Sequence, residues 1–371
     1  ANILCVTFTN KAAAEMKKRI RAQLPDQDLA RITTFHGFCV GLLKEDCHVV
    51  GYPKTFLILD EEDKKAMLSV VFEDLGITGR DITIQEAVDH IGWRKGGRGY
   101  VKTLIHADME ELLDLVKSAS TLKDKILYRY FYEQRKCFAL DFDDLVYFAI
   151  YILEHSREAR EKWQQRLEYI MVDEFQDIDK DQYTLTDILS GYHHNLFVVG
   201  DPDQTIYTWR GADVKFILEF PTRHPRAKTI YLNRNYRSTP QILAASNALV
   251  DKNRERLKKE LIPVRPGNRK PLYFHAKTSA LEADWITANM RALHEGEEGV
   301  SYSSMGVLYR AHYVSRALEE SLIRNKIPYV LYSGVEFYKR KEIKDVLSYL
   351  RMIYNPDDIS FLRTVNEPRR G

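Results

Sequence analysis

The chain opens on an apolar run, Ile3-Leu4-Cys5-Val6-Thr7-Phe8, followed at once by a polar stretch whose apolar positions Ala13, Met16 and Ile20 share one helical face. That switch predicts a buried strand and then a helix capped by Thr9 or Asn10. A short extended piece, Arg31–Thr34, leads into a second helix carrying Phe38, Leu42 and Leu43. From about residue 56 to 164 the helical period takes over, through Met67, Val70, Val71 and Leu75, then Leu112, Leu115 and Val116, then Leu145, Phe148 and Ile152. Strand–helix alternation returns with Tyr169–Val172, Leu196–Val199 and Lys228–Leu232, and a helix start is marked by Ser238-Thr239-Pro240. Leu272–His275, Met305–Tyr309 and Tyr329–Leu331 read as further strands, separated by helices over Ser279–His294 and Val314–Arg324 and followed by a helical tail from Glu336. Short strands alternating with helices predict an α/β fold with a parallel sheet, here interrupted by a helical insertion.

Length and composition agree with this picture. At 371 residues the chain exceeds one ordinary core, so two or three domains are expected. A hydrophobic content of 44% beside 29% charged residues argues against disorder. The longest apolar run, Leu145–Leu153, is far short of the ~20 residues of a membrane span. No signal-peptide pattern opens the chain, and Cys5, Cys39, Cys47 and Cys137 have no metal-ligand spacing, so reduced thiols in the cytoplasm are expected.

The net charge of +2 hides two local extremes. Residues 223–270 carry 13 basic against 3 acidic side chains, whereas residues 168–190 carry 7 acidic and one basic. A basic stretch suits phosphates and an acidic one a divalent cation, although each taken alone reads as a solvated helix face.

Within the acidic stretch, the strand Tyr169–Val172 runs directly into Asp173-Glu174-Phe175-Gln176-Asp177. Two carboxylates at the carboxyl end of a buried strand sit where open α/β sheets bind ligands. One can hold Mg²⁺ while its neighbour orients or deprotonates a water, the division of labour of a nucleotide hydrolase; the alternative is a helix start that Asp173 merely caps. Gly200-Asp201-Pro202-Asp203-Gln204 ends a second strand, and the Gln204 carboxamide suits bridging a phosphate oxygen and a water, or is part of an ordinary turn. Tyr207 and Trp209 beside Arg210 make a stacking platform for unpaired bases unless Trp209 is a core residue. Asn235-Tyr236-Arg237-Ser238 offers a guanidinium for a γ-phosphate and a ring for a purine, or a surface ion pair. Phe8, Asn10 and Lys11, and likewise Thr34, Phe35 and His36, lie at strand-to-helix turns, where hydroxyls and N–H groups contact phosphates; taken alone, His36 reads as a satisfied structural histidine.

In this order, the pieces resemble the UvrD/Rep family of superfamily-one DNA helicases. The resemblance covers nearly the whole chain: TFTNKAAAEM (7–16), TFHGF (34–38), LDFDDL (140–145), VDEFQD (172–177), GDPDQTIYTWRGAD (200–213), NYRS (235–238), VLYRAH (307–312), residues 327–351 and NEPRRG (366–371). It implies two partial RecA-like, P-loop NTPase-type parallel-sheet domains. The first spans 1–55 and 165–225, with an all-helical insertion over 56–164, and the second starts at 226 and runs to 371. It further implies ATP and Mg²⁺ as cofactors, with Asp173 on the metal, Glu174 activating water, Gln204 sensing the γ-phosphate, Arg237 as an arginine finger and Tyr236 against adenine. Phe8, Asn10, His36, Tyr207, Trp209 and Arg210 would contact DNA. The implied activity is 3′–5′ translocation on single-stranded DNA and opening of single/double-strand junctions in repair, recombination or replication restart, in the cytoplasm and away from membranes.

Two departures qualify this. No G-x-x-x-x-G-K-[ST] occurs, and the family's later motifs, with a further arginine, are absent. The expectation is a fragment of a longer protein that alone hydrolyses ATP poorly or not at all. The alternatives are a non-hydrolysing single-strand-binding or regulatory fragment, and the motor part of a helicase–nuclease.

Overall fold

The structure is a computed structural model that describes residues 2–24, 30–253, 256–257, 259–267, 269–296, 299–332, 341–354, 361 and 364–365. The segment 366–371 therefore lies outside the described residues, as do residues 333–340 of the segment 327–351. The chain folds as two compact units, residues 1–232 with 252–259 and 348–371, and residues 233–251 with 260–347.

The first unit is organised by a four-stranded, all-parallel sheet. Its strands are β1 (Ile3–Thr7), β2 (Ala30–Thr34), β5 (Tyr169–Val172) and β6 (Leu196–Val198), in the order β2-β1-β5-β6. Leu4, Val6 and Thr7 are buried on the inner strand β1, while β5 alternates, with Ile170 and Val172 buried and Tyr169 and Met171 exposed. The helices α1 (Asn10–Gln23) and α2 (Phe35–Asp46) begin right after β1 and β2. Thr9 caps α1 by accepting from the Ala12 N–H at 3.1 Å, and Thr34 caps α2 by accepting from the Gly37 N–H at 3.2 Å. Gly37 is required there, because a Cβ would stand 2.3 Å from Thr33 Oγ1.

Between β2 and β5 the chain forms α3 (Glu61–Leu75), α4 (Ile84–Lys95), α5 (Gly99–His106), α6 (Met109–Ser118), α7 (Leu122–Lys136), α8 (Phe142–His155) and α9 (Arg157–Arg166). Four of these start with a reciprocal capping box, Asp60/Asp63, Thr83/Glu86, Asp108/Glu111 and Asp141/Asp144, which explains why so charged a stretch makes well-defined helix starts. The insertion is helical apart from a short parallel ladder of β3 (Leu57–Leu59) and β4 (Ala139–Asp141), too brief to show a period in the sequence.

Arg94-Lys95-Gly96-Gly97-Arg98-Gly99 looks like a solvated glycine-rich loop, yet Lys95 is the last residue of α4 and is buried. Its ammonium donates to Asp141 Oδ2 at 2.7 Å, to Asp144 Oδ1 and Oδ2 at 2.8 and 2.9 Å, and to Gln134 Oε1 at 3.2 Å.

The helix α10 (Lys180–Ser190) links β5 to β6, and after β6 the first unit continues through the short helices α11 (Lys215–Leu218) and α12 (Phe220–Arg223). Lys228–Leu232 forms no ladder.

The second unit holds a two-residue parallel pair, β7 (Arg234–Asn235) and β8 (Ile262–Pro263), with α13 (Pro240–Val250), α14 (Ser279–Glu295) and α15 (Ser315–Arg324). The expected start at Pro240 is found with Thr239 at the cap position, but its hydroxyl makes no capping bond. Instead Asn235 Oδ1 accepts from the N–H groups of Arg237 and Ser238 at 3.1 and 2.8 Å, an Asx turn that fixes the strand exit. The helices α14 and α15 are joined by a buried hydroxyl pair, Thr287 Oγ1 to Ser321 Oγ at 3.0 Å. Leu272–His275, Met305–Tyr309 and Tyr329–Leu331 are not strands. Among the described residues no strand pairs with them, and Tyr273 and Leu308 are 90% and 99% exposed. Strand-like side chains make a strand only where a neighbour takes up the backbone N–H and C=O groups. A further helix, α16, spans Lys341–Tyr354.

Candidate functional site

Because β1, β2, β5 and β6 run the same way, their carboxyl ends meet at one edge of the sheet, and most of the chemistry-bearing residues of the first unit gather there. The Asp173 N–H continues the ladder to the Val6 carbonyl at 2.9 Å, which fixes Asp173 beside Thr7. The Thr7 hydroxyl, fully buried, donates to Asp173 Oδ2 at 3.4 Å. Burial raises the Asp173 carboxyl above the usual aspartate range and the charge of Glu174 raises it further, against the Glu174 N–H and the Thr7 hydroxyl. Asp173 caps no helix, so the bland reading of this motif fails.

Glu174 stands in the left-handed region, φ 54° and ψ 42°, unusual for a side chain without glycine's freedom. That turn points the chain away from the sheet into a short 3₁₀ segment, Phe175–Asp177, and leaves the Glu174 side chain exposed. Phe175 is fully buried against Phe220, with ring centroids 5.5 Å apart, and its N–H donates to the Val199 carbonyl at 2.9 Å.

Beyond Val199, Asp201 turns the chain by accepting from the Asp203 N–H, and Gln204 donates from Nε2 to Asp201 Oδ2 at 2.8 Å. Asp201 also pairs with Lys259, and Arg256 Nη2 donates to Asp203 Oδ2 at 3.2 Å. The next residues form an aromatic ledge. Phe8 stacks on Tyr207 with centroids 4.8 Å apart and planes 19° apart, and Trp209 lies 6.4 Å from Tyr207. The Arg210 guanidinium sits over both rings, 4.7 Å from Trp209 and 5.5 Å from Tyr207. Trp209 is 71% exposed, which rules out a core role.

His36 and Asn10 open the helices at the same edge. Burial holds the His36 imidazole below its usual value, against the pull of Asp143, so it is neutral near pH 7. It meets Phe142 edge to face at 5.5 Å, and Phe142 is 44% exposed at the start of α8. Phe142 is the aromatic that sequence reading missed, although the pattern Asp141-Phe142-Asp143-Asp144 held a sign of it: an apolar ring flanked by carboxylates at a helix start has no core-facing period. Tyr236 and Arg237 belong to the second unit, both exposed at the exit of β7.

The donor chemistry at Asp173 and Glu174 fits Mg²⁺, which binds through one or two carboxylates together with substrate phosphates. An aspartate whose carboxyl is raised by burial and by the neighbouring Glu174 charge is the environment a divalent cation relieves. Among the described residues no group of three or more metal-ligating side chains occurs, and no helix is long and apolar enough to cross a membrane.

Two known family models match the chain. The UvrD/REP helicase N-terminal domain matches residues 1–225, and the UvrD-like helicase C-terminal domain matches residues 230–371. The chain belongs to the UvrD/Rep helicase family. The parallel sheet is thus of the RecA-like kind that this family carries. The ATP-dependent DNA helicase PcrA of Staphylococcus epidermidis is 39% identical over 376 residues, covering 100% of this chain and 50% of the relative. The ATP-dependent DNA helicase PcrA of Staphylococcus aureus is 39% identical over 372 residues with the same coverage. The chain spans about half the length of these curated UvrD/Rep relatives.

Proposed function

We propose that the protein carrying this chain is an ATP-dependent 3′–5′ DNA helicase or translocase, acting on single-stranded DNA and its junctions with duplex in the cytoplasm. The observation that carries this reading is the sheet edge on which the Asp173–Glu174 pair and the Phe8–Tyr207–Trp209 ledge are built from the same strand ends. Chemistry on a phosphate and contact with a base are then linked through one rigid element.

In this reading Asp173 holds the metal of Mg-ATP, and Mg²⁺ when bound neutralises charge on the phosphate oxygens. Glu174 takes the proton of the attacking water, its exposed carboxylate held clear of the sheet by the left-handed turn. Gln204 reports the γ-phosphate to the ledge, being three residues before Tyr207. Arg237 stabilises charge on the transferred phosphoryl group and Tyr236 stacks on adenine, roles proposed from the motif alone. Single-stranded DNA runs over Phe8, Tyr207 and Trp209, with His36 and Phe142 as a second aromatic pair and Asn10 and Arg210 on the backbone. The domain division 1–55 with 165–225, 56–164 and 226–371 belongs to the same proposal.

The direct test is ATP turnover and strand separation by the full-length gene product, with and without single-stranded DNA. Turnover stimulated by DNA and consumed in 3′–5′ movement is expected; DNA binding without any turnover would leave only a passive binder. Trp209→Ala is expected to weaken oligo(dT) binding by about 1–3 kcal/mol, with little dependence on base sequence. Fluorescence anisotropy measures this directly, and unchanged affinity in a folded variant removes Trp209 from the track.

A further inference from the structure

Gln176 has no role in the mechanism just described, yet it is the most constrained side chain beside it. It is 1% exposed, and its carboxamide is fully used. Nε2 donates to Glu174 Oε2 at 2.8 Å and to Asp177 Oδ2 at 3.3 Å, while Oε1 accepts from the Asp201 N–H at 3.0 Å. Only one orientation of the amide satisfies all three, since carboxylates need a donor and an N–H needs an acceptor.

Two further features converge on this group. Glu174 keeps a left-handed backbone that is strained in a residue other than glycine and persists only where its surroundings over-determine it. Gly200 leaves room for the amide: a Cβ there would stand 2.5 Å from Gln176 Oε1, 2.8 Å from Ile217 Cδ1 and 3.1 Å from the Phe175 nitrogen. The Asp213 N–H, donating to the Ile178 carbonyl at 3.2 Å, ties the far end of the ledge loop to the same turn.

We propose that Gln176 is a positioning residue that fixes the Glu174 carboxylate and couples it, through the Asp201 N–H, to the turn bearing Gln204 and the aromatic ledge. This rests on the motor reading above and deepens it. A shift of the Gly200–Gln204 turn on DNA contact moves the Asp201 N–H, and the buried amide transmits that movement to the carboxylate that activates water. Glutamine is the side chain this needs, because it donates at one end and accepts at the other.

The test uses the full-length protein with Mg-ATP and oligo(dT). Gln176→Glu keeps the shape and the acceptor but removes the donor facing Glu174; Gln176→Leu removes all three bonds without adding charge. Both are expected to lower DNA-stimulated kcat by roughly 10–100-fold while KM for Mg-ATP changes by less than about threefold, the pattern of lost positioning rather than lost binding. The ratio of turnover with and without DNA is expected to fall with kcat, whereas nucleotide-free oligo(dT) affinity stays at the wild-type value and certifies the fold. Gly200→Ala, which drives a methyl onto the amide oxygen while keeping Gln176, is expected to lower the same ratio. Wild-type kcat and DNA stimulation in Gln176→Glu or Gln176→Leu would overturn the role of Gln176 alone. Absence of turnover in the wild-type protein would instead overturn the motor reading, and this role with it.

Discussion

Glu174→Gln in the full-length protein is expected to lower DNA-stimulated ATP turnover by about 10²–10⁴-fold, the contribution of a positioned general base. The substitution preserves shape and leaves a carboxamide that cannot take a proton. Nucleotide binding is expected to survive it. The charge of Glu174 is one of the influences that raise the Asp173 carboxyl, so its removal makes Asp173 a better anionic ligand rather than a worse one. Asp173→Asn is expected to behave differently, weakening Mg-ATP binding together with turnover, because the group that meets the metal is lost. Single-turnover kinetics with nucleotide titration separates the two variants. Equal loss of nucleotide affinity in both would show that Asp173 and Glu174 do not divide the labour as proposed.

The parts of this site that depend on local order were legible in the sequence. A strand followed immediately by Asp173 and Glu174 has one place to put them once the sheet is parallel, and the hydroxyl cap Thr9 marks a helix start that the structure keeps. Trp209 was ambiguous only until its exposure was known. The residues that escaped depend on partners far away in the chain. Phe142 matters because α8 starts next to His36, more than a hundred residues earlier, and Gln176 matters because Gly200 lacks a side chain. The strands expected over 228–232, 272–275, 305–309 and 329–331 failed for a related reason: periodicity reports which faces are apolar, not whether a neighbouring strand is present to pair. Lys95 shows the opposite error, since a lysine among glycines and arginines carries no local sign that two aspartates some fifty residues on will enclose it.

Lys95→Met is expected to destabilise the first unit by about 3–5 kcal/mol, because it leaves two buried carboxylates without their shared cation. Asp141 and Asp144 are both fully buried. Burial pushes Asp141 up, but Lys95 and Lys64 outweigh it and hold it below the usual carboxylate range; burial and the charge of Asp141 push Asp144 up to about 6. Lys95 is in turn held charged by the two, against its own burial. Tyr100, donating to Asp144 Oδ1 at 2.6 Å, and Gln134, donating from Nε2 to Asp144 Oδ2 at 2.8 Å, complete the cluster but bring no charge. With Lys95 gone, Asp144 is pushed further above its unfolded value and Asp141, left with Lys64, rises from its lowered position, so the folded variant binds protons more tightly than the folded wild type and recovers stability as pH falls. The gap between Lys95→Met and wild type is therefore expected to be widest at neutral pH and above and to narrow as pH falls toward 5. Near neutral pH it corresponds to a drop in melting temperature of roughly 10 °C for a unit of this size. Scanning calorimetry across that pH range decides the matter. A gap independent of pH would mean that lost packing of the lysine stem, and not stranded charge, sets the loss. The same cluster fixes the start of α8 through the Asp141–Asp144 capping box, and with it Phe142 beside His36. Lys95→Met at temperatures where it remains folded is thus expected to weaken oligo(dT) binding, although Lys95 itself is too deeply buried to reach DNA.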